Sequence, residues 1–96
     1  MISVVVTYYV LPGKKDEYMA IMMELIEKTQ QEDGCVYYDM FEAVDGDGMT
    51  LTLIEVWKDQ AALDYHMETG HFKTALAALT PLREDRRIRN VFKKAY

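Results

Sequence analysis

The stretch "CVYYDMFEAVDGDGMTLTLIEVW" (Cys35–Trp57) reads as two strands folded back on each other. Cys35–Val44 and Met49–Trp57 are both rich in the aromatic and β-branched residues that suit a pleated, half-buried surface. Between them, Asp45-Gly46-Asp47-Gly48 is a strong hairpin signal, because Asp and Gly tolerate the backbone angles of a tight reversal.

On the N-terminal side, "ISVVVTYYV" (Ile2–Val10) is a further strand, stopped near Pro12-Gly13. From Lys14 to Gln31 the apolar residues Tyr18, Met19, Met22, Met23, Leu25 and Ile26 form a helical stripe, ended by Glu32-Asp33-Gly34 with Gly34 as the breaker. On the C-terminal side, Asp59 is a candidate N-cap for a helix carrying Leu63, His66 and Met67. Gly70 is expected to break it, and a second helical piece with Phe72, Ala75, Leu76 and Leu79 runs to Pro81. "RRIRNVFKKAY" (Arg86–Tyr96) closes the chain as a fourth strand.

The order β-α-β-β-α-β with right-handed crossovers predicts an α+β, ferredoxin-like antiparallel sheet with its helices on one face. Because the strands are apolar on both parities, the opposite face is expected to meet another sheet, most simply that of a second copy in a homodimer. Ninety-six residues make one domain with a thin core, yet the chain carries seven Met, seven Tyr and three Phe. That surplus points to a lined cavity or a buried apolar surface.

The net charge of −5 argues against a nucleic-acid partner, whose binders carry a basic footprint. The charge is uneven: residues 1–82 hold five Lys/Arg against fourteen Asp/Glu, and residues 83–96 hold six against two. Cys35 is the one cysteine, so no intrachain disulfide forms and a reducing compartment fits. "MISVVVTYYV" has no basic leader and is too short to span a membrane, so a cytoplasmic protein without membrane contact is expected.

His66 and His71 lie five apart, which on one continuous helix places them about 140° apart. Zinc pairs on helices use i, i+4, so no metal site is expected. "DGDGMT" fails as a calcium loop because its twelfth position is Val56, where a bidentate Glu is required. His66 lies on the side of its helix that should face the sheet, where burial favours the neutral imidazole, either as a proton acceptor or as a core histidine held by one hydrogen bond. Glu55 and Trp57 share one face of the third strand; a Glu in an apolar strand is solvent-facing, salt-bridged, or a titratable group lining a cavity.

"VLPGKKDEY" (Val10–Tyr18), "EDGCVYYDMFE" (Glu32–Glu42) and "EVWKDQAALDYHMETGHF" (Glu55–Phe72) together resemble the antibiotic biosynthesis monooxygenase (ABM) domain family. In the last segment Glu55, Trp57, Asp59, Ala62, Leu63, His66, His71 and Phe72 fall in register with the family pattern, and the match covers nearly all of residues 1–96. The resemblance implies a dimeric α+β barrel with a pocket between sheet and helices. It implies a monooxygenase that needs neither metal nor flavin and oxidises a quinol or polycyclic phenol to a quinone. The haem-degrading branch wants Asn, Trp and His where this chain has Thr7, His66 and Leu76, so that activity is not expected.

His66 is the expected catalytic base, with Glu55 as a second catalytic group, since a phenol of pKa about 10 must lose its proton. Met22, Tyr38, Trp57 and Phe72 would wall an aromatic substrate, with His71 as pocket lining or relay. Another branch of the family isomerises a small phosphorylated quorum-sensing metabolite. The cluster Arg83, Arg86, Arg87 and Arg89 keeps an anionic substrate open, with Arg86 placed at the site, because arginine grips phosphate bidentately. The fold also serves as a non-catalytic ligand-binding dimer. His66 satisfied by a backbone carbonyl in a solid core would mark that case.

Overall fold

A computed structural model describes residues 1–96. The elements run β1 (Ile2–Val10), α1 (Lys15–Thr29), β2 (Cys35–Glu42), β3 (Thr50–Trp57), α2 (Gln60–Glu68), α3 (Gly70–Leu79), a 3₁₀ turn (Thr80–Leu82) and β4 (Arg83–Lys93). All pairings are antiparallel in the order β2-β3-β1-β4, the ferredoxin-like α+β arrangement.

Strand alternation decides which side chains meet the helices. Val4, Val6 and Val10 of β1 and Leu51, Leu53, Glu55 and Trp57 of β3 are buried beneath them. From α1, Tyr18, Met22, Leu25 and Thr29 descend onto this face at helical spacing, while Met23 is 57% exposed. α3 adds Ala75 and Leu79, and α2 adds Leu63 and His66. The other sheet face carries no helix. Val5 pairs with Ile54, Thr7 with Thr52 and Ile88, and Tyr37 with Val56, forming a half-exposed apolar surface.

Several local expectations need correcting. The hairpin loop spans residues 43–49, with Asp47 Oδ1 accepting from the Met49 and Thr50 backbone N–H groups at 2.8 and 3.2 Å. Asp59 does cap α2, accepting from the Ala62 N–H at 2.8 Å. The break after α2, however, falls at Thr69 rather than Gly70. Thr69 is extended (φ −68°, ψ 150°), and its hydroxyl accepts from the Phe72 N–H, so it caps α3 while Gly70 begins that helix.

Gly34 does not end α1, which stops at Thr29; it is needed for close approach, since a Cβ there would collide with the Ala62 Cβ on α2. β4 starts at Arg83, three residues before the expected strand, because Pro81 sits in the 3₁₀ turn and the pairing of Val10 with Arg83 extends the sheet past a bulge.

Candidate functional site

The kink at Thr69 brings the two histidines together. His66 lies in the last turn of α2, pointing inward and 1% exposed, while His71 stands in the first turn of α3. Glu32, in the turn between α1 and β2, reaches both: its Oε2 lies 2.7 Å from His66 Nδ1 and 2.7 Å from His71 Nε2. The 140° separation assumed one continuous helix, which the extended Thr69 removes. The three donor atoms lie within 4.8 Å of one another. The sequence drew no attention to Glu32, which read only as part of a helix stop.

An ionised carboxylate only accepts hydrogen bonds, so both ring nitrogens facing Glu32 carry protons. His66 is therefore the Nδ1–H tautomer, and its Nε2 is a bare lone pair, buried and without a hydrogen-bond partner. Burial lowers the His66 pKa from its ordinary value, against the opposing pull of Glu32, which keeps the ring neutral. The ring is surrounded by aromatic side chains, with centroids of Trp57 at 4.7 Å, Phe72 at 4.9 Å and Tyr38 at 5.4 Å. A carboxylate, not a backbone carbonyl, holds His66.

Beside this cluster, an apolar cavity of about 40 Å³ lies between sheet and helices. Of the residues expected at the site, Met22, Tyr38, Phe72 and Glu55 line it. His66 stands one side chain back, in contact with Tyr38 and Phe72 of its wall. Glu55 accepts from the Trp57 indole N–H at 3.0 Å, and burial pushes its carboxyl up to about 7 despite that bond. Burial likewise raises the Tyr38 and Tyr8 phenols.

Arg86 does not reach the cavity. It lies 3.7 Å above the Tyr9 ring on the helix-free face and pairs with Glu84 at 2.9 Å. The bulge between Tyr8 and Val10 instead turns Arg83 inward, over the Tyr8 ring and into the cavity wall.

On the outer side, Glu32 and His71 border a surface groove of about 650 Å³ shared with Lys28, Gln31, Lys58 and Tyr65. Glu32 and His71 thus bridge His66 to solvent, with the cavity wall on its far side. With both facing nitrogens protonated, Glu32 holds the two rings in place and leaves His66 Nε2 able to accept a proton.

The family model for "Antibiotic biosynthesis monooxygenase" matches residues 1–78. The chain belongs to the antibiotic biosynthesis monooxygenase family. "Putative monooxygenase YcnE" of Bacillus subtilis (strain 168) is 38% identical over 68 residues, covering 71% of this ABM chain and 70% of the relative. "Putative monooxygenase Rv0793" of Mycobacterium tuberculosis is 31% identical over 71 residues, covering 74% and 68%. A crystal structure of an antibiotic biosynthesis monooxygenase superimposes with a TM-score of 0.92 at 29% identity, covering 100% of both chains. No helix of this ABM protein is long and apolar enough to cross a membrane.

Proposed function

We propose that this ABM protein is a cofactor-independent monooxygenase that oxidises a quinol or polycyclic phenol to a quinone with molecular oxygen, working as a homodimer. The observation that carries this is the Glu32–His66 pair, which leaves Nε2 unprotonated and unpartnered on a ring packed against Tyr38 and Phe72 of the apolar, aromatic-lined cavity wall. A carboxylate that fixes the tautomer of a histidine and leaves its other nitrogen free is the arrangement of a general base.

Glu55 faces the cavity directly, and a carboxyl titrating near neutrality can take or return a proton there. Deprotonating the phenol gives an electron-rich anion able to reduce dioxygen. With a phenol, one oxygen atom becomes the new carbonyl of the quinone; with a quinol, it enters as a ring hydroxyl of the quinone. In both cases the other oxygen leaves as water and the substrate supplies all four electrons. A cavity of about 40 Å³ is smaller than the roughly 300–1,000 Å³ that ligand pockets usually span, so the ring enters by displacing Phe72, Leu76 and Arg83, wall residues that are not fully buried.

The homodimer covers the helix-free sheet face, where Val5, Tyr9, Ile54, Val56, Ile88 and Phe41 otherwise meet water.

Arg83 in the cavity wall favours a second reading, an isomerase of a small phosphorylated metabolite whose phosphate it would hold. The deciding measurement is oxygen consumption by metal-stripped protein over a panel of hydroquinones and polycyclic phenols. His66→Gln, which keeps volume in the core, should lower uptake by about a hundredfold with the fold intact. No uptake with any phenol, together with saturable binding of a sugar phosphate lost in Arg83→Ala, would transfer the assignment to the isomerase.

A further inference from the structure

Two histidines and one carboxylate from three separate elements converge on a point between the protein interior and a surface groove. We propose that Glu32, His66 and His71 form a binding site for a divalent transition-metal ion, with Zn²⁺ the best match. The donor atoms are His66 Nδ1, His71 Nε2 and Glu32 Oε2, all within 4.8 Å of one another. Two imidazoles and a carboxylate are the donor set of zinc sites that keep a fourth position for water or substrate.

Zn–N and Zn–O bonds of about 2.0–2.2 Å separate tetrahedral donors by roughly 3.4 Å, so each 2.7 Å contact must open by about 0.7 Å. The side chains able to give are His71, with 22% of its side chain exposed, and Glu32, which sits in a turn rather than a helix. A second observation points the same way. The other carboxylate oxygen, Glu32 Oε1, is buried with no hydrogen-bond partner, which leaves it free to become a further donor. The groove of about 650 Å³ that Glu32 and His71 line supplies the entry path.

Binding here does not depend on the oxygenase assignment. One consequence rests on that assignment: coordination through Nδ1 moves the His66 proton to Nε2, so a bound ion would turn the proposed acceptor into a donor.

The test is calorimetric titration of untagged, chelator-treated protein with Zn²⁺, alongside Co²⁺ absorption spectra. His71→Asn and Glu32→Gln, each checked for folding by circular dichroism, provide the comparison. One ion per chain, intense visible bands of four-coordinate Co²⁺, and affinity at least about tenfold weaker in both variants are expected. Absence of binding, weak six-coordinate Co²⁺ bands, or unchanged affinity in the two variants would overturn the site.

Discussion

Glu32 and His66 are 34 positions apart in the chain, yet the carboxylate Oε2 and the imidazole Nδ1 meet at 2.7 Å. The contact assigns a proton to Nδ1 and a lone pair to Nε2, which is the chemically useful end of the ring. Glu32→Gln replaces a group that only accepts with one that can donate or accept, so the tautomer is no longer imposed. Turnover of the productive phenol should fall about 10–100-fold. The ring-nitrogen shifts of ¹⁵N-labelled His66 should report an Nδ1–H tautomer in the parent protein and a mixture in the variant. An unchanged tautomer would show that Glu32 does not set it.

Glu55 should make stability depend on pH in an unusual direction. Its carboxyl is raised from 4.5 to about 7 in the folded protein, so between those values the folded state holds a proton that the unfolded state has released. Stability therefore falls as pH rises through that window, and the contribution levels off above it. The full effect is of order 3 kcal/mol. Glu55→Gln cannot titrate, so urea unfolding from pH 4.5 to pH 8 should show the variant gaining on the parent as pH rises. Parallel curves would mean that Glu55 is solvated.

Trp57 acts on the same carboxyl from the other side. Its indole N–H, 3.0 Å from Glu55 Oε1, favours the ionised form. Trp57→Phe removes that donor while keeping most of the apolar bulk, so the Glu55 midpoint should move above 7. If Glu55 accepts a proton in turnover, the acidic limb of the pH–rate profile moves upward with it. A limb that stays in place would separate Glu55 from the rate-determining proton transfer.

Element order and helix placement were legible because the runs of β-branched and aromatic residues in β1 and β3 and the stripe in α1 each repeat one signal over many residues. The centre of the site was not. Glu32 carries no periodic signal, and its partners are set by a turn whose three-dimensional path a local pattern does not contain. The spacing of His66 and His71 was misleading because a single extended residue, Thr69, resets the helical phase. The pairing of Thr69 with the Phe72 N–H is a cap signal visible in "TGHF", and it places the break one residue earlier than Gly70 did. Arg86 and Arg83 exchanged roles for a similar reason, since one bulge in β1–β4 pairing decides which arginine turns inward.

The contact between Gly34 and Ala62 holds the Glu32 turn against α2, and it can be tested by exchange. Gly34→Ala places a methyl group onto the Ala62 Cβ and should destabilise the protein by about 1–3 kcal/mol. Ala62→Gly, which costs about 1 kcal/mol in a helix, removes the obstacle. In the double variant the Gly34→Ala change should therefore cost less than it does alone, a coupling read from urea midpoints. Strict additivity would mean that the two elements move apart freely and that the turn is not fixed by this contact.

The helix-free sheet face supplies the last prediction. Ile54 lies on the central strand β3, paired with Val5 on β1, and its side chain is half-exposed on a surface continued by Val56 and, at 53% exposed, Ile88. Left in water, such a face is an open apolar patch beside an edge strand, which folded proteins cover or charge. Ile54→Arg puts an unpaired cation at its centre, where a dimer interface would have to desolvate it. Light scattering coupled to gel filtration should show a dimer for the parent protein and a monomer for the variant, with far-ultraviolet circular dichroism unchanged. A dimer that survives the substitution would place the interface elsewhere, because a buried, unpaired arginine is too costly for two such sheets to keep between them.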